Sequence, residues 1–255
     1  MTVRQIDINA DAGESFGRWR LGRDAELLPL VTTVNIACGF HAGDPVNMRR
    51  SLRLARETGV AIGAHPGYPD LLGFGRRALA ITEDEALDYM MYQTGALYGL
   101  GRSEGITLTH VKPHGALYGQ VADSPELAVR LARELQLLQP GLSLMITSGP
   151  GADAVQQAGL PVVLDAAADL EYDDNGRNII EPVPGGKDPV VVAERASNMA
   201  AGQVVTVSGK SVPLVTQSLC VHGDRPNAPE IAHAVRERLE REGVKIRSAF
   251  EGRER

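Results

Sequence analysis

The chain has 255 residues, 43% of them hydrophobic, a length and composition that suit one α/β barrel domain spanning residues 1–255. Its formal net charge is −6 at pH 7 and its basic residues form no cluster longer than a pair, so we expect no nucleic-acid partner. No run reaches ~18 apolar residues, no signal peptide is visible, and Cys38 and Cys220 lack zinc-binding spacing, so we expect a cytoplasmic protein without membrane contact.

Short β-branched runs alternate with glycine-rich loops and longer segments of helical periodicity, which is typical of βα units and a parallel sheet. We therefore predict an α/β fold, a (β/α) barrel that is either TIM-like or an incomplete seven-stranded one. The predicted strands cover residues 4–9, 33–37, 60–64, 107–112, 143–147, 162–165, 204–207 and 218–221.

Capping signals mark where the helices begin. Asp44 and Pro45 open a helix that is predicted to run to residue 59, and a capping box at Thr82 opens one that runs to residue 105. Ser124 precedes a proline in the same way, and an amphipathic helix is predicted over 228–242. The segment 172–189, rich in Asp, Asn, Gly and Pro, is predicted to be a long loop or a small hairpin.

Chemically active side chains concentrate where five predicted strands end. Five of the six histidines lie in these segments, and only His233 lies in a helix; the segments are 9–14, 35–44, 63–67, 110–115 and 220–224. Because the carboxyl ends of all strands in a parallel barrel meet at one face, residues far apart in sequence converge there. This convergence predicts an enzyme.

Carboxylates, imidazoles and a lysine at a barrel mouth suit the addition of water to an amide or ester carbonyl. No Gly-x-Ser-x-Gly elbow is present, which argues against a nucleophilic serine. Aspartate from one strand and histidines from two others could also hold a divalent cation with an open position for water. The candidate catalytic residues are Asp11, Glu14, His41, Lys112, His222 and Asp224, and the candidate substrate-binding residues are Asn9, Asn35, Arg76 and Arg77.

Several of these residues also have a purely structural interpretation. Asp44 before Pro45 is equally well explained as a helix cap. His110, Lys112 and His114 alternate along one strand and share one face, which lines either the lumen or the underside of a helix. Arg76 and Arg77 are either a solvated pair or an anion-binding pair.

The strings at the strand ends resemble the LamB/YcsF family. The matching segments are 8–17, 35–45, 62–70, 73–77, 110–118 and 219–224, from Ile8-Asn9-Ala10-Asp11-Ala12-Gly13-Glu14 to Leu219-Cys220-Val221-His222-Gly223-Asp224. The resemblance implies a barrel related to the polysaccharide deacetylase type. It also implies ATP-dependent opening of the lactam 5-oxoproline to glutamate, by a complex with two partner subunits.

By analogy with the metal-dependent deacetylases, the resemblance also suggests a divalent metal such as zinc or manganese. An Asp, His, His ligand set maps by strand position onto Asp11, His65 and His114. Whether this chain itself binds ATP, and whether it forms a homo-oligomer, are left open.

One region departs from the family pattern. Members read Phe-Ala-Asp-Arg-x-Tyr after the sixth strand and carry a second arginine in the following loop, whereas this chain has Leu170 and Glu181 at those places. A substrate carboxylate that either arginine binds would lose its partner here. The substrate is then predicted to be a different lactam, amide or cyclic imide.

Three functions are consistent with these residues. The first is the lactam-opening subunit of an ATP-dependent 5-oxoprolinase. The second is a stand-alone metal-dependent amidase or deacetylase that needs neither ATP nor partners. The third is a non-catalytic subunit that senses a metabolite.

Overall fold

The computed structural model describes residues 4–252. Within that range, no helix is both long and apolar enough to cross a membrane. The strands, in chain order, are β1 (Gln5–Ala12), β2 (Thr33–Ala37), β3 (Ala61–His65), β4 (His110–Val111), β5 (Ser143–Ile146), β6 (Val162–Ala167), β7 (Glu171–Tyr172), β8 (Asn178–Ile179), β9 (Gln203–Val205), β10 (Ser211–Pro213), β11 (Ser218–Val221) and β12 (Lys245–Ile246).

Seven parallel strands close into a barrel. β1 to β6 pair in chain order, and β11 pairs with β6 on one side and with β1 on the other. The register places Asp11 opposite Asn35, and Asn9 opposite Cys220. β12 pairs with the first residues of β1. The incomplete seven-stranded form of the predicted barrel is therefore confirmed.

In the described part of the chain, eight α-helices and one short 3₁₀ turn (Leu28–Leu30) accompany the strands, and most pack around the barrel. The helices are α1 (Asp24–Leu27), α2 (Pro45–Thr58), α3 (Glu83–Ser103), α4 (Gly115–Asp123), α5 (Pro125–Leu138), α6 (Pro150–Gln157), α7 (Pro189–Ala200) and α8 (Ala228–Arg241). The predicted caps are confirmed: Asp44 accepts from the first backbone amides of α2, Thr82 forms a capping box at α3, and Ser124 caps α5.

The segment 204–207, predicted as a strand among the βα units, does not belong to the barrel. It contributes to β9, which pairs antiparallel with β10 through a turn that contains Gly209 at φ 83°. The prediction was wrong because a short apolar alternation has the same local pattern in a hairpin as in a barrel strand. The segment 172–189 contains the end of a second small hairpin, β7 with β8.

Alternate residues of each strand face the lumen or the helices. On β1, Ile6, Ile8 and Ala10 join the apolar core under the helices. Asp7, Asn9 and Asp11 are buried on the other face, where they bond to polar side chains of neighbouring strands.

An apolar plug closes the lower end of the lumen. It consists of Met145, Val163 and Phe250, and the Phe250 ring stacks on His110 with centroids 4.6 Å apart. Polar side chains fill the lumen above it. The open end of the barrel therefore lies at the carboxyl ends of the strands.

Candidate active site

A cavity opens at the carboxyl ends of the barrel strands. It encloses about 750 Å³ of empty space when its open mouth is included. The structure brings the following candidates together in its lining: Asp11, His65, Arg76, Lys112, His114 and His222. The less polar part of the lining, called the apolar wall below, is formed by Tyr118, Leu170, Tyr172, Ile180 and Pro184. The lining therefore offers a ligand both charged and apolar contacts.

Lys112 is the buried cation at the bottom of the cavity. Its Nζ lies 3.3 Å from Asp11 Oδ1 and 3.3 Å from Asp165 Oδ2, and it donates to Cys220 Sγ at 2.9 Å. Burial alone would lower the pKa of Lys112, but Asp11 and Asp165 raise it well above its usual range. Burial likewise opposes ionisation of Asp11, yet His65 and Lys112 hold the pKa of Asp11 well below normal. Both groups are therefore charged at neutral pH.

Asn9 and Asn35 lie below the cavity and do not line it. Asn35 Nδ2 donates to Asp11 Oδ1 at 2.8 Å, and Asn9 Nδ2 donates to Asp165 Oδ1 at 2.8 Å. His110 Nε2 bonds to Asn35 Oδ1 at 2.6 Å, and burial lowers the pKa of His110 to about 3. This position favours a role in orienting Asp11 over the predicted contact with substrate.

His65 and His114 face each other through the ring nitrogens that do not bond to the backbone. His65 Nδ1 donates to the Lys112 carbonyl at 2.6 Å, and His114 Nε2 donates to the Phe74 carbonyl at 2.7 Å. The remaining nitrogens, His65 Nε2 and His114 Nδ1, are 3.0 Å apart. In two neutral rings these would be two lone pairs facing each other, so a proton or a cation between them is required.

Asp11 lies beside this pair. Its Oδ2 is 3.4 Å from His65 Nε2 and 3.8 Å from His222 Nε2. Two groups of described residues have ligand atoms close enough for a divalent metal: Glu14, His41, His65 and His114, and separately Asp11, Cys220 and His222. The imidazoles and carboxylates present are ligands of the zinc or manganese type.

Asp169 orients His222 and was not among the candidates. Its Oδ1 accepts from His222 Nδ1 at 2.7 Å, and Arg225 Nε donates to its Oδ2 at 2.6 Å. Burial lowers the pKa of His222, but Asp169 outweighs it and the net shift is upward. The position of Asp169 just after a strand could have identified it. The sixth strand was predicted to end at residue 165, whereas β6 continues to Ala167.

Glu14 and His41 lie behind the cavity, next to His65 and His114. The His41 ring stacks on the His114 ring at 3.8 Å, and its Nε2 lies 3.8 Å from Glu14 Oε1. Burial first, and then nearby Asp224, raise the pKa of Glu14 well above normal. Neither side chain lines the cavity, so the geometry does not favour direct contact between these two candidates and the substrate.

Arg76 and Arg77 have separate positions. Arg76 is nearly buried at the cavity, 2.8 Å from Asp224 Oδ2, with its guanidinium 4.9 Å from the Phe74 ring centre. Arg77 is 63% exposed and pairs with Asp70. Arg76 is therefore the arginine of this pair that can contact a ligand.

The two departures from the family pattern also lie at the cavity. Leu170 lines the apolar wall. Glu181 lines the cavity too, but Lys187 at 2.6 Å and Arg225 at 3.0 Å neutralise its charge. Glu181 therefore brings little net negative charge to a substrate carboxylate in the cavity.

Comparison with known proteins relates this chain to one family over nearly its whole length. The LamB/YcsF family model matches residues 6–254. The A-type subunit of 5-oxoprolinase from Thermus thermophilus is 45% identical over 248 residues, 96% of this chain and 99% of that protein. The corresponding protein of Deinococcus radiodurans is 46% identical over 251 residues, 96% of this chain and 97% of that protein.

Solved structures agree with this relationship. The lactam utilization protein from Thermus thermophilus superposes with a TM-score of 0.85 at 43% identity, over 95% of this chain and 99% of that one. The peptidoglycan deacetylase PdaC from Bacillus subtilis, at 12% identity and a TM-score of 0.50, covers 97% of this chain and 89% of its own. The second similarity concerns the barrel fold alone.

Proposed function

This chain belongs to the LamB/YcsF family, and we propose on that basis that it is a cytoplasmic hydrolase subunit that opens a lactam ring. The substrate class includes 5-oxoproline, and the chain works in a complex that consumes ATP and contains two partner subunits. The complex is supported by the relatives, each of which is one subunit of a 5-oxoprolinase by name. The observation that carries the proposal is the meeting of Asp11, His65, Lys112, His114 and His222 in one cavity.

Ring opening requires a new C–O bond from water, cleavage of the C–N bond, and a proton for the departing nitrogen. His222 is suited to supply that proton, because Asp169 fixes its Nδ1 at 2.7 Å and leaves Nε2 toward the cavity. Its raised pKa keeps it protonated closer to neutral pH. We assign His222 as the general acid.

Asp11 is the group best placed to handle the attacking water. Asn35 and Lys112 occupy its Oδ1, so Oδ2 is left to face His65 and His222. Oδ2 can accept a proton from water or bind a cation. Lys112 holds the Asp11 charge in place at 3.3 Å.

We propose His65, His114 and Asp11 as the residues that hold a divalent zinc or manganese ion. The facing nitrogens of the two histidines, 3.0 Å apart, fit this assignment, because each ring has its other nitrogen committed to a carbonyl. A bound cation would polarise the lactam carbonyl and lower the pKa of water. The chain's own contribution is to hold these groups rigidly in a buried pocket.

One observation favours a different substrate within the same class. Leu170 occupies the cavity wall where relatives are expected to carry an arginine, so this wall offers no charge to a ring carboxylate. Arg76, which also lines the cavity and is paired with Asp224, is one candidate compensating cation. An uncharged lactam or cyclic imide is therefore our second candidate.

The test is a turnover assay on a panel that contains 5-oxoproline, 2-pyrrolidinone and a cyclic imide. Each ring is offered to the chain alone, with ATP, and with ATP and the two partner subunits. Ring opening that requires ATP and partners supports the complex. Turnover by the chain alone supports the stand-alone amidase, and binding without turnover under all conditions contradicts the hydrolase.

A further inference from the structure

Glu14 is a buried carboxylate without a partner to match its charge. It is 5% exposed and accepts no hydrogen bond from any residue between 4 and 252. Among those residues, the one basic nitrogen within ion-pair distance of its carboxylate is His41 Nε2, at 3.8 Å. A buried carboxylate in this situation is costly unless a proton or a cation accompanies it.

His41 is equally unsatisfied. Its ring is fully buried, and neither ring nitrogen has a hydrogen-bond partner among the described residues. The side chain is also confined, because a Cβ added at Gly67 would lie 2.4 Å from its Nδ1 and one added at Gly75 would lie 2.8 Å from its Cβ. The structure thus holds His41 in one orientation although no described group bonds to it.

The stacking of His41 on His114 limits what His41 can do. The two rings are inclined by only 5° with centroids 3.8 Å apart. Ring nitrogens coordinate in the plane of the ring, so two parallel stacked rings cannot both direct a lone pair at one ion. His114, whose Nδ1 faces His65, is the ring in position to coordinate. His41 instead faces Glu14.

Glu14 is within reach of the same ion as the two histidines. Ligand atoms of Glu14, His65 and His114 lie within 4.8 Å of one another. The Glu14 carboxylate is available to bind an ion, because the nearby cations Lys112 and Arg76 are paired with Asp11 and Asp224.

We propose that Glu14 is a second carboxylate ligand of the cation held by His65 and His114, and that His41 positions it. One oxygen of Glu14 binds the ion, and the other accepts the proton on His41 Nε2. This arrangement satisfies the buried carboxylate and one nitrogen of His41 together. This inference rests on the metal assignment in the proposed function. It adds an unpaired carboxylate to the proposed ligands, and histidine and carboxylate ligands suit zinc or manganese.

The experiment measures the affinity of the metal-free full chain for Zn²⁺ and Mn²⁺ by competition with a chromophoric chelator. The variants are Glu14→Gln, which keeps the shape and removes the charge, and His41→Phe, which keeps a stacked ring and removes the nitrogens. We expect His41→Phe to weaken binding by about tenfold, as for partners of metal ligands in general. Glu14→Gln should weaken it further.

The matched control is Asp7→Asn, which removes another buried carboxylate from the same strand region, at the opposite end of the lumen. It should leave the metal affinity unchanged. Thermal unfolding of the metal-free proteins tests whether Glu14 instead has a structural role. Removing an unpaired carboxylate should leave the Glu14→Gln melting temperature at or above that of the wild type. If Glu14→Gln does not fold, Glu14→Asp keeps the charge with a shorter reach and should show weakened binding.

Two results would overturn the inference. If Glu14→Gln binds the ions as tightly as the wild type and Asp7→Asn, Glu14 is not a ligand, although the metal assignment to the histidines stands. If the wild type binds neither ion, the metal assignment and this inference both fall. The lactam assay on the metal-free complex then decides separately whether the hydrolase proposal survives.

Discussion

Asp169 Oδ1 accepts a hydrogen bond from His222 Nδ1 at 2.7 Å, and this bond determines which nitrogen of His222 faces the cavity. Asp169 is itself fully buried and is held by Arg225, whose Nε donates to Oδ2 at 2.6 Å. His222 Nε2 is thereby directed toward Asp11 Oδ2, 3.8 Å away. The orientation of the proposed acid is therefore set by a residue that does not line the cavity.

Asp169→Asn should remove this control. Asp169 raises the pKa of His222, so the substitution lowers that pKa and the acid loses its proton at a lower pH. We expect kcat to fall by roughly 10²-fold or more, with the alkaline limb of its pH profile moved to lower pH. The measurement is the pH dependence of kcat in the complete complex. Asp174→Asn, an exposed position on the following hairpin, is the control, and equal profiles for both variants would contradict the assignment.

Asp7 should give stability a distinct pH dependence. Burial raises the pKa of Asp7 from 3.8 to about 6 despite hydrogen bonds from Ser218, Thr32 and Thr33. The stability from protonated Asp7 is fully present below the unfolded pKa and is lost as pH rises through about 6. Between pH 4 and pH 7 the free energy of unfolding of the wild type should therefore fall relative to Asp7→Asn by about 2 kcal/mol. Urea unfolding curves measured at several pH values test this, and a constant difference would refute it.

Gly63 makes room for His110 inside the lumen. A Cβ at Gly63 would lie 2.2 Å from His110 Nε2. Gly63→Ala should therefore displace His110 from Asn35 and destabilise the fold by about 1–3 kcal/mol. Gly99→Ala is the control, because Gly99 lies in α3 with open space around it and should gain about 1 kcal/mol. Thermal unfolding of both variants decides, and an unchanged Gly63→Ala would show that His110 is not packed as described.

Leu170→Arg should change substrate preference. An arginine on this wall supplies a partner for a ring carboxylate, so the efficiency on 5-oxoproline should rise relative to 2-pyrrolidinone. Glu181→Arg is not expected to help, because it would remove the partner of Lys187 and Arg225. The measurement is the ratio of kcat/KM values for the two rings. A wild type that already prefers 5-oxoproline strongly, with no change in Leu170→Arg, would mean that this wall does not read the carboxylate.

The sequence predicted the features that depend on local pattern. The caps at Asp44 and Thr82 and the convergence of Asp11, His65 and His114 follow from spacing and from the geometry of parallel barrels. The features that depend on register could not be predicted in this way. The pairing of Lys112 with Asp165 and the contact of Asp169 with His222 join strands that are far apart in sequence.

The error at 204–207 has the same origin. A short alternating segment such as 204–207 forms either a barrel strand or a hairpin, and only its partner strand distinguishes the two. The sequence likewise shows that Glu181 is acidic but not that Lys187 and Arg225 pair with it. Predicting the net charge at a site therefore requires knowledge of which residues pair with one another as well as of which residues are present.

Opening of the lactam in the cavity around Asp11 is the activity on which the proposed function depends. The most direct test is release of the ring-opened product from the best lactam of the panel, by the complete complex with ATP, for the wild type and for Asp11→Asn. We expect turnover by the wild type and none above background for Asp11→Asn, with both proteins unfolding cooperatively. Product release by Asp11→Asn at the wild-type rate would show that the ring opens elsewhere and would contradict the proposed function.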